Sequence, residues 1–450
     1  MDLRGRRFLV VGLGASGRAA ARLLAARGAQ VVGNDAREAI DAANELESLG
    51  VEVRLGGHDE ALFTSVDHIV VSPGVPPLPE LERAARRGVP IASEIELASW
   101  FIEGTVVGIT GTNGKSTVTS LVGAMVAKSG RPTFVGGNLG QPLTDVVGTA
   151  AAGPHGVVVV ELSSFQLERV DRFRADVAVL LNVSEDHLDR YDTFADYAAA
   201  KGRIFAGQRR ADHALVPSGD ELCASLARAG AARIHTFGPG GEVELVGAEA
   251  GAAVVDAARG MRVPVAELRL QGVHNQVNAC AAALAAGLVG VPAAEIAEVL
   301  RTFPGLPHRM EHVREVNGVT FFDDSKATNV GAAVAALRGF VGSPGRVVLL
   351  AGGKDKGGSY APLVDPLRRF GRAVVTLGEA ASLIEEALGD AIPWERATSM
   401  EDAVAKGLRL ARPGDSVVLA PACSSFDRYR SYAERGEAFK RAVHALEAGR

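Results

Sequence analysis

The sequence is poor in cysteine, has no apolar run long enough to cross a bilayer and carries no excess of positive charge. Its three cysteines, Cys223, Cys280 and Cys423, are odd in number and far apart, with no CxxC pair. That excludes a disulfide scaffold and a cysteine-held zinc, and it fits a reducing compartment. No segment offers the ~20 consecutive apolar residues of a membrane span. The net charge of −5 lacks the basic face that non-specific nucleic-acid binding needs. Polar low-complexity tracts are missing too, so the whole chain is expected to fold. Arg4, Arg6 and Arg7 ahead of the apolar stretch 8–13 imitate a signal peptide, but Arg18 and Arg22 interrupt any apolar core, and the chain reads as cytosolic.

What is present is an α/β pattern. With 450 residues, 47% of them hydrophobic and 22% charged, the length favours roughly three domains of ~150 residues. Short Val/Ile/Leu runs alternate with Ala- and Leu-rich helical stretches, as in parallel sheets covered by helices. Strands are expected at 8–11, 31–34, 69–72, 106–110, 157–161, 177–182, 320–323, 347–351, 374–377 and 417–420. Their clustering predicts three sheets. The turn-rich Ser72-Pro73-Gly74-Val75-Pro76-Pro77 and a helix near Trp100 close the first, and Phe303-Pro304-Gly305-Leu306-Pro307 interrupts the pattern like a hinge before the third. The expected domains are therefore 1–97, 98–303 and 304–450. The Gly- and Ala-rich stretch 211–269 has only weak strand signals and reads as a peripheral part of the central domain.

Two glycine motifs carry chemistry. Gly111-Thr112-Asn113-Gly114-Lys115-Ser116-Thr117 lies between a buried strand and a helix whose face is Val118, Leu121, Val122 and Met125. There the backbone amides and helix dipole meet phosphate oxygens, Lys115 neutralises the terminal phosphates and Ser116 ligates Mg²⁺. The match to GxxxxGK[ST] is imperfect: position 109 is Ile, Gly108 is one residue early, and Gly111 is left to supply the turn. A chance helix-capping triplet is the bland alternative, disfavoured by the strand before it and the helix after it. Gly12-Leu13-Gly14-Ala15-Ser16-Gly17, with Asp35 about twenty residues on, satisfies the dinucleotide fingerprint. Alone it suggests an oxidoreductase. The chain offers no hydride-transfer apparatus, and the same cradle suits a UDP-sugar or merely packs a helix on a strand.

Glu161, at the end of a strand beside the phosphate loop, is placed to ligate Mg²⁺, although Ser163 and Ser164 also fit a plain helix start. Asn182-Val183-Ser184-Glu185-Asp186-His187-Leu188-Asp189-Arg190-Tyr191 is a polar cluster after another strand, in which His187 could bind metal, move a proton or merely cap. Lys201, by spacing alone, reads as a solvated helix lysine.

Gly111-Thr112-Asn113-Gly114-Lys115-Ser116 with Leu181-Asn182 through Asp189-Arg190-Tyr191 resembles the Mur ligase family, which also includes folylpolyglutamate and cyanophycin synthetases. Glu161-Leu162-Ser163-Ser164-Phe165-Gln166-Leu167, Leu306-Pro307-His308-Arg309, Asp323-Asp324-Ser325-Lys326-Ala327-Thr328-Asn329 and Pro421-Ala422-Cys423 resemble its D-glutamate-adding branch. The resemblance implies a Rossmann-like N-terminal domain for a UDP-muramoyl substrate, a central ATPase domain and a Rossmann-like C-terminal domain delivering the amino acid. The implied activity is ATP-dependent addition of D-glutamate to UDP-N-acetylmuramoyl-L-alanine through an acyl phosphate, in peptidoglycan synthesis and so in cell shape and division, by a monomer.

Carried over residue by residue, the resemblance implies ATP contacts from Gly111, Thr112, Asn113, Gly114, Lys115, Ser116, Thr117, Asn275, Arg309 and Asp324. It implies two Mg²⁺ ions on Ser116, Glu161, His187 and a carbamylated Lys201, with Lys115, His187 and Lys201 catalytic. Asn138 in Gly136-Gly137-Asn138 contacts the muramoyl group. Ala15, Ser16, Asp35, Ala36, Arg37 and Ser72-Pro73-Gly74 occupy the uracil loops. D-glutamate falls to Lys326, Thr328, Lys356, Ser425 and the neighbourhood of Phe426, with Lys354 an alternative to Lys356.

Overall fold

A computed structural model describes residues 2–187, 190–247, 251–270, 272–340 and 344–446. The chain forms three α/β domains, one sheet each, consistent with the three expected clusters.

The first sheet holds β1 (Arg7–Val11), β2 (Gln30–Asp35), β3 (Glu52–Leu55), β4 (His68–Val71) and β5 (Ile91–Ser93), all parallel, in the order β3-β2-β1-β4-β5. The order reverses between β1 and β4, which opens a crevice at their carboxyl ends where ligands of such sheets bind. The loops after β1, β2 and β4 therefore carry the first glycine motif, Asp35 to Arg37 and Ser72 to Gly74 to one edge.

The second sheet holds β6 (Thr105–Thr110), β7 (Thr133–Gly137), β8 (Val157–Glu161), β9 (Val177–Leu180), β10 (His213–Pro217), β11 (Arg233–Phe237), β12 (Val243–Val246), β13 (Ala253–Asp256) and β14 (Met261–Pro264). Its order is β14-β13-β12-β11-β10-β9-β6-β8-β7. Val157 to Val160 are buried on both faces, as a central parallel strand requires. On one face the helices Lys115–Lys128, Val273–Leu288 and Ala293–Thr302 pack with Val107, Ile109, Val159 and Val179, and the Ala-rich side of Val273–Leu288 lets the backbones approach. Among its described residues the weak stretch 211–269 holds the helix Glu221–Ala227 and five strands. The last three are short and pair antiparallel, and their mixed exposure leaves them without the apolar run that marks a buried strand.

The third sheet holds β15 (Glu311–Val316), β16 (Val319–Asp323), β17 (Val347–Gly352), β18 (Gly371–Leu377), β19 (Trp394–Arg396) and β20 (Ser416–Leu419), in the order β15-β16-β20-β17-β18-β19. Only the edge pair β15–β16 is antiparallel. The expected boundary at 97/98 falls inside a helix, Glu94–Ser99, that belongs to two cores: Leu97 packs in the first domain, Ile95 and Ala98 in the second. Among the described residues, no helix is long and apolar enough to cross a membrane.

Candidate active site

In the central sheet β6 lies between β8 and β9. The phosphate loop after β6, Glu161 at the end of β8 and the Asn182 loop after β9 thus share one edge. Gly111 and Gly114 take φ of +148° and +87°, conformations that glycine adopts without strain. A Cβ on Gly114 would also lie 2.5 Å from Asn278 Oδ1. Gly111 therefore supplies the turn for which the motif lacked its usual glycine. Gly108, one residue early, instead lies within the strand against Ala175 and Leu162.

Three basic side chains close on this loop. Lys115 Nζ donates to the carbonyls of Gly111 and Thr112, each at 2.8 Å, and burial lowers its pKa. Lys201 is 2% exposed, so the solvated-lysine alternative is overturned: its Nζ donates to the same Gly111 carbonyl at 2.9 Å and sits 4.6 Å from the Tyr197 ring centre. Burial, aided by Lys115, holds its pKa well below that of an ordinary lysine. Arg309, from the C-terminal domain, donates from Nη2 to Ser116 Oγ at 2.9 Å.

The residues present fit a divalent cation. Glu161 is 2% exposed; its Oε1 accepts from Asn138 Nδ2 at 2.6 Å, while its buried Oε2 has no hydrogen-bond partner among the described residues. Burial pushes this carboxyl up, and Lys115 and Asn138 outweigh it, so the pKa ends below the usual value and the group is anionic. An anionic oxygen kept from water and left unpaired is a ready cation ligand. His187 takes a left-handed φ of +56° and meets the Phe165 ring edge-on at 4.9 Å. Leu188 and Asp189 of the same motif lie outside the described residues.

A cavity of about 250 Å³ opens between the central and C-terminal domains, lined by Ser184 to His187, Asn329, Lys356 and Tyr360 among others. Asp186 ties the two sides: its Oδ2 accepts from Asn329 Nδ2 at 2.9 Å, and Lys356 Nζ stands 3.5 Å from its Oδ1. Lys356 faces this cavity, whereas Lys354 is exposed and engages Ser424 through its backbone. Lys326 lies 3.9 Å from the Tyr432 ring centre, and burial, then Arg309, lowers its pKa to about 8. Burial raises Asp324 to about 7. Thr328 is half-buried and Ser425 fully buried. Phe426 is 67% exposed, and the aromatic ring against Lys326 is Tyr432 instead.

At the first sheet, Asp35 accepts from the Leu13 amide at 2.7 Å and from the Arg37 amide and guanidinium, and the Arg37 bonds outweigh burial to depress its pKa strongly. Ser72 Oγ donates to the Gly12 carbonyl at 2.6 Å, closing the crevice floor. Ala15 and Gly74 are open to solvent and Ser16 is half-buried.

Reasoning from sequence missed Asn278, which donates to Asn275 Oδ1 at 3.2 Å and crowds Gly114; its three-residue spacing from Asn275 on one helix was the available signal. It also missed Arg435. That buried cation donates to the carbonyls of Ser325, Cys423 and Ser424 and to Ser325 Oγ, clamping the loops after β16 and β20.

Residues 6–93, 109–286 and 308–423 match, in turn, the family descriptions "Mur ligase MurD-like, N-terminal domain", "Mur ligase middle domain" and "Mur ligase, glutamate ligase domain". The chain is 47% identical to a UDP-N-acetylmuramoylalanine--D-glutamate ligase from Anaeromyxobacter dehalogenans, over 98% of both chains. The chain belongs to the Mur ligase family. A relative of the same name from Geotalea daltonii is 45% identical over 100% of this chain and 99% of its own. Among solved structures, this Mur ligase shares its fold with a pseudomurein peptide ligase type C from Methanothermus fervidus, with TM-score 0.65 and 19% identity over 98% of this chain and 100% of that one. A UDP-N-acetylmuramate-alanine ligase from Thermotoga maritima gives a TM-score of 0.62 at 19% identity, over 98% and 100%.

Proposed function

We propose that this Mur ligase joins D-glutamate to UDP-N-acetylmuramoyl-L-alanine, hydrolysing ATP and passing through an acyl phosphate, in peptidoglycan precursor synthesis in the cytoplasm. The observation that carries the reading is the meeting of the phosphate loop with Arg309 from another domain, beside a cavity bordered by Lys356. Whole-chain likeness to ligases named for these substrates supports their identity. In this reading residues 1–97 hold the UDP end, 98–303 hold ATP and 304–450 deliver the amino acid, in a monomer.

An amine does not displace an oxide from a carboxylate, so the alanyl carboxylate must first take the γ-phosphoryl group of ATP. Lys115, the loop amides and Arg309 neutralise charge on that group, which is positioning and electrostatics. Ser116, Glu161, His187 and Lys201 are the candidate holders of two Mg²⁺ ions, whose charge when bound would further offset that of the phosphates. Asn275, Asn278 and Asp324 border the nucleotide. Asn138 orients the muramoyl end, and Ala15, Ser16, Asp35, Arg37, Ser72 and Gly74 hold the uridine diphosphate. Lys326, Thr328, Lys356 and Ser425 take the D-glutamate carboxylates, leaving its amine to attack the acyl carbon; phosphate leaves as the amide forms. Domain contact across the cavity keeps water from the acyl phosphate.

Lys201 suits carbamylation. Its buried amine, whose pKa burial lowers, would in its neutral form attack carbon dioxide, forming an N–C bond as one C=O π bond opens, losing one proton and becoming an anionic oxygen donor near Glu161. Loss of turnover in Lys201→Ala, recovered with a short added carboxylate, is expected; full turnover without it would sink the assignment.

The deciding experiment measures phosphate release from ATP with UDP-N-acetylmuramoyl-L-alanine and, separately, D-glutamate, L-glutamate, L-alanine or a diamino acid. Release only with D-glutamate, and a product heavier by one glutamyl residue, is expected. Release with another amino acid moves the chain to a sister ligase.

A further inference from the structure

The Glu94–Ser99 helix joins the first two domains, and two of its three first residues are buried glutamates. They reach into the central domain at different places. Glu96 accepts from the consecutive amides of Asp171, Arg172 and Phe173 and from the Trp100 indole, a fully paired anchor. Glu94, 1% exposed, accepts at Oε1 from the Thr144 amide at 2.6 Å; its Oε2 and Thr144 Oγ1 are buried and have no hydrogen-bond partner among the described residues.

Thr144 is the second residue of the 3₁₀ turn Leu143–Val146, which ends the loop that carries Asn138. At the near end of that loop Gly137 N–H donates to Gln141 O at 2.7 Å and Asn138 N–H to Glu161 O at 2.9 Å, leaving the Asn138 side chain on Glu161 Oε1. The other side of the turn packs on the Ala15–Ala26 helix, which the first glycine motif opens. The turn is thus held between the helix of the nucleotide crevice and the interdomain helix, and Glu94 is the polar key in its backbone.

We propose that Glu94 is a positioning residue for the UDP substrate: it fixes the Asn138 turn to the first domain, so that the uridine crevice and Asn138 keep one separation. The proposal rests on the substrate reading above. A ligand confined to the first crevice gains nothing from that registry; one that spans both domains does.

The test is calorimetric binding of UDP and of UDP-N-acetylmuramoyl-L-alanine to the full chain and to Glu94→Ala and Glu94→Gln. UDP affinity and the KM for ATP should be unchanged in both variants. The preference for the full substrate over UDP should fall about tenfold in Glu94→Ala, the scale of one buried amide left unpaired, and be retained in Glu94→Gln, whose side-chain carbonyl still accepts from Thr144. The Glu96 anchor is left intact; should Glu94→Ala still not fold, Glu94→Asp, shorter by one methylene, is read the same way. A wild-type preference that survives Glu94→Ala overturns the role of Glu94 alone. A wild-type chain with no preference for the full substrate overturns the substrate reading and this proposal with it.

Discussion

The two glycine loops of this chain follow parallel strands, open helices and look alike as strings of letters, yet the structure equips them differently. In the first, a Cβ at Gly17 would run into the Gly12 carbonyl, Gly14 faces open space, and the nearby cation, Arg37, is spent on Asp35. In the second, Lys115 and Arg309 converge on a few backbone and hydroxyl oxygens, and a buried Glu161 oxygen has no hydrogen-bond partner among the described residues. In the proposed reading the first only holds a diphosphate, whereas the second has the charge to handle a phosphoryl group in transit. Glycine spacing reports that a backbone can approach phosphate, and the cations report whether anything reacts there.

The contrast is tested hardest at Lys115. Lys115→Ala should cost at least ~10²-fold in turnover, as loss of one transition-state charge contact does, with UDP affinity unmoved; near-normal steady-state turnover would show that the second loop is not the reacting one. Gly17→Ala should do the reverse. The methyl group cannot be placed without shifting the helix from the strand, at a cost of about 1–3 kcal/mol, so thermal unfolding should come earlier and UDP-substrate binding weaken while ATP affinity holds. Equal loss of both ligands would mean the two loops are not independent.

A smaller effect, in the helix that joins the domains of the two loops, is read through pH. Burial raises Glu94 to about 7, with Asp145 adding to the rise and the Thr144 amide opposing it. The folded chain therefore holds a proton there that the unfolded chain has released. The resulting stability is complete below the unfolded value near 4.5, and it is lost as pH rises through about 7. Glu94→Gln cannot titrate, so melting curves from about pH 5 to about pH 8 should show the variant gaining on the parent chain. A constant difference would mean Glu94 does not titrate in that range.

Much of the fold was legible because buried parallel strands advertise themselves: Val157 to Val160 could hardly be anything else. Glu52–Leu55 and Trp394–Arg396 were not, since edge strands carry charged residues that hide the period. Lys115, Ser116 and Glu161 were readable from a strand, a loop and a terminal carboxylate. Arg309 meeting Ser116 across 193 positions was not, because no local pattern encodes a contact between domains; only resemblance pointed to it. Arg435 was invisible for a related reason: apart from Ser325 Oγ its partners are backbone carbonyls, which have no letter in a sequence. Tyr432 was not legible either: the ring that meets Lys326 lies six positions beyond the exposed Phe426, and no local spacing pairs it with that lysine.

The Arg309–Ser116 hydrogen bond also bears on how such chains can be recombined. The arginine that reaches the phosphate loop is encoded with the third domain, the amino-acid-delivering one in the proposed reading, just past the Pro304 to Pro307 segment. A chimera cut before residue 304 replaces Arg309 with whatever residue the donor carries there, whereas one cut after residue 310 keeps the native Arg309–Ser116 pair and exchanges only the third sheet. The workable seam for grafting specificity therefore lies a few residues inside the third domain, not at its visible border.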